Sequence, residues 1–161
     1  VCSSDLLGWR TMAHAGEEGP AAFVAEAVDV LKVDRIDHGV RCDEDPALVA
    51  RLRDLQIPLT VCPISNVKLK VYPDLAAHNL KRLLDAGLCV TVNSDDPSYF
   101  DGYVNKNYTG SQEALGLSAG DMYRLARNSF TAAFIGPAER QKHMAALDAF
   151  WTKNHGAIPR A

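Results

Sequence analysis

What this sequence lacks narrows its possibilities first. No apolar stretch among its 161 residues is long enough to span a bilayer. No signal peptide is visible either, so the expected setting is a soluble, cytoplasmic protein with no membrane partner. There is no stripe of lysine and arginine: 17 basic and 20 acidic residues are interspersed, for a net charge of −3. Without a basic face the chain lacks the electrostatic footprint of a nucleic-acid binder, and a small molecule is the expected partner. The four cysteines, Cys2, Cys42, Cys62 and Cys89, form no C-x-x-C pair, which removes the usual paired-cysteine metal and redox signatures. Cys62 and Cys89 lie in apolar runs, where a free cysteine is ordinarily a buried, reduced thiol. No internal repeat, low-complexity tract or long linker interrupts the chain, so a single domain over residues 1–161 is expected.

What is present is an ordinary globular composition, 47% apolar and 23% charged, in a chain long enough for one real core. Short apolar runs alternate with helical stretches. Strands are expected at Trp9 to Ala13, Arg35 to His38, Leu59 to Cys62 and Leu88 to Val92. Between them, apolar residues at helical spacing predict a helix from Pro20 to Leu31. Asp45-Pro46 opens another that runs to Leu55. Leu80 to Ala86 reads as a helix stopped by Gly87. Further helices are expected over Asn105 to Leu115, from a Ser118/Asp121 cap to Phe130, and, after the Gly136-Pro137 break, as an amphipathic segment from Ala138 to Phe150. Val1 to Leu7 fit no element, and a frayed tail is expected from Thr152. Strand–helix alternation with short connections means a parallel α/β sheet.

The polar residues gather at the strand ends. The first strand leads into His14-Ala15-Gly16-Glu17, the second ends in Asp37-His38-Gly39, the third in Cys62-Pro63-Ile64-Ser65-Asn66, and the fourth in Asn93-Ser94-Asp95-Asp96-Pro97. In a parallel α/β sheet or barrel these ends share one face, where active sites are built. Each has a plain structural alternative: a hydrogen-bonded histidine, a charged loop at Glu17-Glu18, a strand terminus at Cys62-Pro63, a turn or helix cap at Asp95-Asp96-Pro97. Two histidines, a glutamate and two aspartates at successive strand ends favour a site, because ionisable groups held together need partners, and a metal is a common one.

These four motifs, in this order and spacing, resemble the adenosine/adenine deaminase family from about Trp9 to Phe150. The segment Ser98-Tyr-Phe-Asp-Gly-Tyr-Val104 resembles the adenine deaminase branch more than the adenosine branch. The resemblance implies the C-terminal portion, about four βα units, of a TIM-type (β/α)8 barrel with additional C-terminal helices. It also implies a zinc cofactor and a purine substrate. His14 and Asp95 would be metal ligands. Glu17 would protonate N1 of the purine, and His38 would orient or deprotonate the metal-bound water. Asp95 would also accept a proton, Asp96 would accept a hydrogen bond from the ring, and Gly16 would contact the substrate. The P-C-x-x-C zinc motif of the deaminases that act on flipped bases is absent.

One departure stands out. The family takes two further metal ligands from a His-x-His at its first strand, and this sequence has none. His78, His143 and His155 fit no strand end. The chain would thus supply fewer than the three protein ligands of a usual catalytic zinc. A fragment with open sheet edges, weak zinc affinity and negligible turnover by itself is the expectation. The implied reaction is adenine to hypoxanthine plus ammonia, with adenosine to inosine, or a non-catalytic half-barrel remnant, as alternatives.

Overall fold

The computed structural model describes residues 7–159. Four strands make one parallel sheet in the order β1 (Met12–Ala15), β2 (Arg35–His38), β3 (Leu59–Val61), β4 (Val90–Val92). The registers set Ala15 beside His38 and Thr60 beside Thr91. The polar residues that follow each strand therefore emerge at one edge of the sheet. Parallel pairing demands a crossover after each strand. Helix α1 (Ala21–Asp29) joins β1 to β2, and a 3-10 turn (Val40–Glu44) with helix α2 (Pro46–Leu55) joins β2 to β3. The next crossover holds α3 (Pro63–Lys68) and α4 (Leu80–Asp85). After β4 come α5 (Pro97–Phe100), α6 (Val104–Leu115), α7 (Ala119–Ala132) and α8 (Pro137–His155).

The core lies between the sheet and these helices. Val24 and Ala27 of α1, Leu52 of α2 and Leu80 and Leu83 of α4 pack with Ile36, Leu59 and Val90 of the strands. Each such large aliphatic side chain contributes roughly 1.5–3 kcal/mol on burial. Caps fix where the helices start. The Asp45 carboxylate accepts from the backbone N–H groups of Ala47 and Leu48, and Ser118 and Asp121 form the reciprocal box expected of them. Gly87, at φ +84°, ends the α4 segment in a left-handed conformation.

The structure moves several boundaries. The first strand is Met12–Ala15 rather than Trp9 to Ala13, because only these residues find a register against β2; Trp9 is exposed. His14 is thus inside the strand, not beyond it. The last strand begins at Val90 rather than Leu88, again as pairing with β3 dictates. Two short helices, α3 and α5, and the 3-10 turn were not expected; both helices carry proline at their first turn, and α5 is capped by Asp96. Helix α8 runs to His155, past the point where fraying was expected, with Trp151 stacked on His155 at 4.3 Å and donating to the Ala157 carbonyl. It buries no residue completely. Its half-buried stripe (Arg140, His143, Met144, Leu147, Asp148, Trp151) is chemically mixed rather than apolar. Asp148 takes a hydrogen bond from Tyr123 and pairs with Arg127 at 3.0 Å, and His143 stacks on Phe130. The unassigned start, Val1 to Leu7, lies outside the described residues except for Leu7, and Cys2 lies outside them too; Cys42, Cys62 and Cys89 are buried free thiols.

Candidate active site

The centre of the site is His38, the last residue of β2. Its ring is 2% exposed. On one side Nδ1 lies 3.2 Å from Glu17 Oε1, and on the other Nε2 lies 3.8 Å from Asp95 Oδ2. His38 sits at φ +65° and Asp95 at φ +57°, a left-handed region that costs a residue with a Cβ about 1–2 kcal/mol. Such strain persists where the surroundings hold it, and it clusters at functional sites. The next residue, Gly39, is also left-handed; a Cβ there would meet Leu59 Cδ2 at 2.7 Å. The strand end can turn this sharply only because glycine follows the histidine.

His14, one strand over, places its ring 5.3 Å from that of His38. Its Nδ1 is 3.3 Å from Asp37 Oδ2. Asp37 is held in turn by Thr60, whose hydroxyl donates at 2.6 Å, and by Arg35 at 3.6 Å. A histidine with one nitrogen set against a carboxylate has the other free for a metal, the usual outer-shell arrangement of metal-binding imidazoles. His14, His38, Asp37, Cys62 and Asp95 line one pocket of about 300 Å³. Glu17 lines a different hollow, with Arg41 and Lys70, and is tied to the first by its 3.2 Å contact with His38.

Burial pushes the Glu17 carboxyl up, with the Asp95 charge adding to it and the Asn66 hydrogen bond opposing it. Burial pushes His38 down, with Asp95 opposing. A carboxyl that keeps its proton longer stands beside an imidazole that stays neutral, a pairing suited to proton transfer in both directions.

Three sequence motifs meet here, through His14, Glu17, His38 and Asp95. Asp96 and Gly16 have firm structural duties. Asp96 accepts from the Tyr99 N–H and caps α5. Gly16, at φ +67°, lets the β1 turn pass close to Val24. Other residues of the site had no expected role. Ser65 donates to Asp95 at 2.7 Å, and Asn66 donates to Glu17 at 2.9 Å. Both lie in the Cys62-to-Asn66 motif, so the motif located them without revealing their bonds. Cys62 joins His38 and Asp95 in a cluster whose ligand atoms lie within 4.8 Å of one another. Burial pushes the Cys62 thiol strongly up, which favours the protonated form. His78, set aside because it follows no strand, reaches Asn66 from the loop before α4.

Imidazole and carboxylate donors suit a borderline cation such as zinc. The family model for adenosine deaminase matches residues 6–149. The chain belongs to the adenosine deaminase family. It is 62% identical over 144 residues to an adenine deaminase of Sphingopyxis alaskensis, covering 89% of this chain and 42% of that protein. An adenine deaminase of Paraburkholderia xenovorans is 58% identical over 145 residues, or 90% and 41% of the two chains. Among solved structures, an adenine deaminase from Arthrobacter aurescens superposes with a TM-score of 0.90 at 46% identity, covering 94% of this chain and 46% of that one. An amidohydrolase from Burkholderia ambifaria with bound Zn gives 0.85 at 28% identity, covering 92% and 42%. The chain spans about two-fifths of the length of the curated relatives it matches, between 41% and 44%. Its four βα units correspond to the C-terminal portion of the deaminase barrel. Among the described residues, no helix is long and apolar enough to cross a membrane.

Proposed function

We propose that this chain carries the C-terminal part of the catalytic site of an adenine deaminase, converting adenine to hypoxanthine and ammonia as one partial catalytic domain. The observation that carries this is the buried His38 set between Glu17 and Asp95, in a chain 54% to 62% identical to adenine deaminases.

His14 and Asp95 would hold zinc, which when bound supplies a water acidic enough to react near neutral pH. In these roles the chain contributes one histidine and one aspartate, fewer than the three protein ligands of a usual catalytic zinc. The remaining chemistry belongs to its side chains. Glu17, whose hold on its proton is strengthened by burial and by Asp95, delivers a proton to N1 of the purine and makes the ring receptive at C6. His38, kept neutral by burial, orients the attacking water through the nitrogen facing Asp95. Ser65 holds the Asp95 carboxylate in place by its 2.7 Å hydrogen bond. Asp96 spends one oxygen on capping α5 and has the other for the ring. Gly16 brings the backbone of the His14-to-Glu17 turn to the substrate.

The test is a chimera in which this chain replaces the matching segment of the Sphingopyxis alaskensis relative. Ammonia release from adenine, with little from adenosine, is the expected result. Preference for adenosine would move the substrate assignment, and no release from either, with zinc bound and the fold intact, would refute the catalytic reading.

A further inference from the structure

The loop between α3 and α4 ends at His78, which is 2% exposed and packs on the Tyr72 ring at 4.4 Å. Both of its nitrogens are engaged. Nδ1 lies 3.0 Å from the backbone nitrogen of Leu80, a group that can only donate. Nδ1 is therefore the acceptor, and the single proton of the neutral ring sits on Nε2. Burial pushes His78 down to about 4, so the neutral ring prevails near pH 7; a charged one would set an Nδ1–H against the Leu80 N–H.

The next link follows from that tautomer. Nε2 of His78 is 3.1 Å from Oδ1 of Asn66. An N–H there requires an acceptor, so the Asn66 amide presents its oxygen to His78 and its NH2 group the opposite way. The NH2 nitrogen is 2.9 Å from Glu17 Oε1 and 3.3 Å from His38 Nδ1. A flipped amide would set NH2 against the His78 N–H and leave Glu17 and His38 Nδ1 without their donor, losses in a fully buried place. Asn66 is itself 0% exposed, so water cannot repair them.

We propose that His78 is a positioning residue of the active site: its Nε2–H locks the Asn66 amide so that the NH2 group holds Glu17 and His38 in place. This rests on the deaminase reading above. It makes a distinction that a purely structural histidine does not. If His78 served only the start of α4, the contact that mattered would be Nδ1 with Leu80. If it locks Asn66, the contact that matters is Nε2–H.

Two substitutions separate these bonds. His78→Gln places an amide nitrogen near the former Nε2 and keeps the donor. His78→Asn places an amide oxygen near the former Nδ1, keeping the Leu80 contact and dropping the donor. In the chimera, H78Q is expected to retain kcat within about threefold. H78N is expected to lose kcat about 10- to 100-fold with KM little changed, since a misplaced catalytic group costs rate before affinity. Asn66→Asp, which keeps an acceptor for His78 and removes the donor to Glu17, should show the same kcat loss; it also keeps the test decisive should H78N fail to fold. Nitrogen NMR of the chimera with labelled histidines should show His78 protonated at Nε2. H78N or N66D as active as H78Q, or His78 protonated at Nδ1, overturns the proposal. A chimera that deaminates no purine defeats the functional reading instead, and the NMR tautomer still decides whether the lock exists.

Discussion

Gly16→Ala probes the turn that carries His14 and Glu17, and its cost can be worked out in two parts. The residue sits at φ +67°, and an added Cβ would lie 2.4 Å from Val24 Cγ2. The backbone part is the left-handed penalty, about 1–2 kcal/mol for a residue with a Cβ. The steric part is large, because carbon atoms prefer about 3.5–4.0 Å and the gap must open by roughly an ångström or more. Val24 is fully buried and β-branched in a helix, where one χ1 rotamer dominates, so it cannot swing aside freely. Overpacking of this sort costs about 1–3 kcal/mol. Together the substitution should destabilise the fold by about 2–5 kcal/mol. The measurement is urea unfolding of the chimera, in a cycle with Val24→Ala. Removing the two γ carbons abolishes the overlap and leaves the φ penalty, so in the V24A background Gly16→Ala should cost only about 1–2 kcal/mol. An equal cost in both backgrounds would refute the overlap, and no cost in either would refute the left-handed turn.

Glu17→Gln in the chimera should leave zinc content near normal and lower kcat by about 10²–10⁴-fold, the worth of a positioned proton donor. Glu18→Gln, given no chemical role, is its control, and equal damage from the two would undo the assignment. Asp95→Asn should reduce zinc content and rate together, as assayed by metal analysis beside ammonia release; loss of rate alone would remove Asp95 from the ligand set. Cys62→Ala should leave zinc content unchanged, since burial holds the thiol protonated and the proposed ligands are His14 and Asp95; zinc lost with the sulfur would make Cys62 a ligand. For pH, His78 falls from its ordinary 6.5 to about 4 in the fold, so the unfolded chain binds the extra proton across that interval. Its stabilising contribution is complete above 6.5 and is lost as pH falls toward 4, amounting to about 3 kcal/mol. His78→Gln should flatten the pH dependence of unfolding free energy in that window, and an unchanged slope would mean that His78 is not buried neutral.

The parts of this protein that rest on local chemistry were legible in its residues. Parallel α/β architecture followed from alternating apolar runs and helical spacing, and the Asp45 and Ser118 caps followed from their own side chains reaching back to nearby N–H groups. The candidate site was legible as a set of strand-end motifs, because polar residues at those positions are costly unless they are used. Strand limits were not legible: Met12 and Val90 mark strand starts because of which residues find a partner across the sheet, a property of two segments rather than one. The short helices α3 and α5 are too brief to leave a periodic signal. Only the tertiary structure could bring in His78, which follows no strand and lies 12 residues beyond Asn66 in the chain. Its role depends on which of two nitrogens the fold leaves facing an amide, and that is settled by the Leu80 N–H at the start of α4. The residue types were written in the sequence; the direction of each hydrogen bond among them was decided by packing, which leaves a buried donor no second place to go.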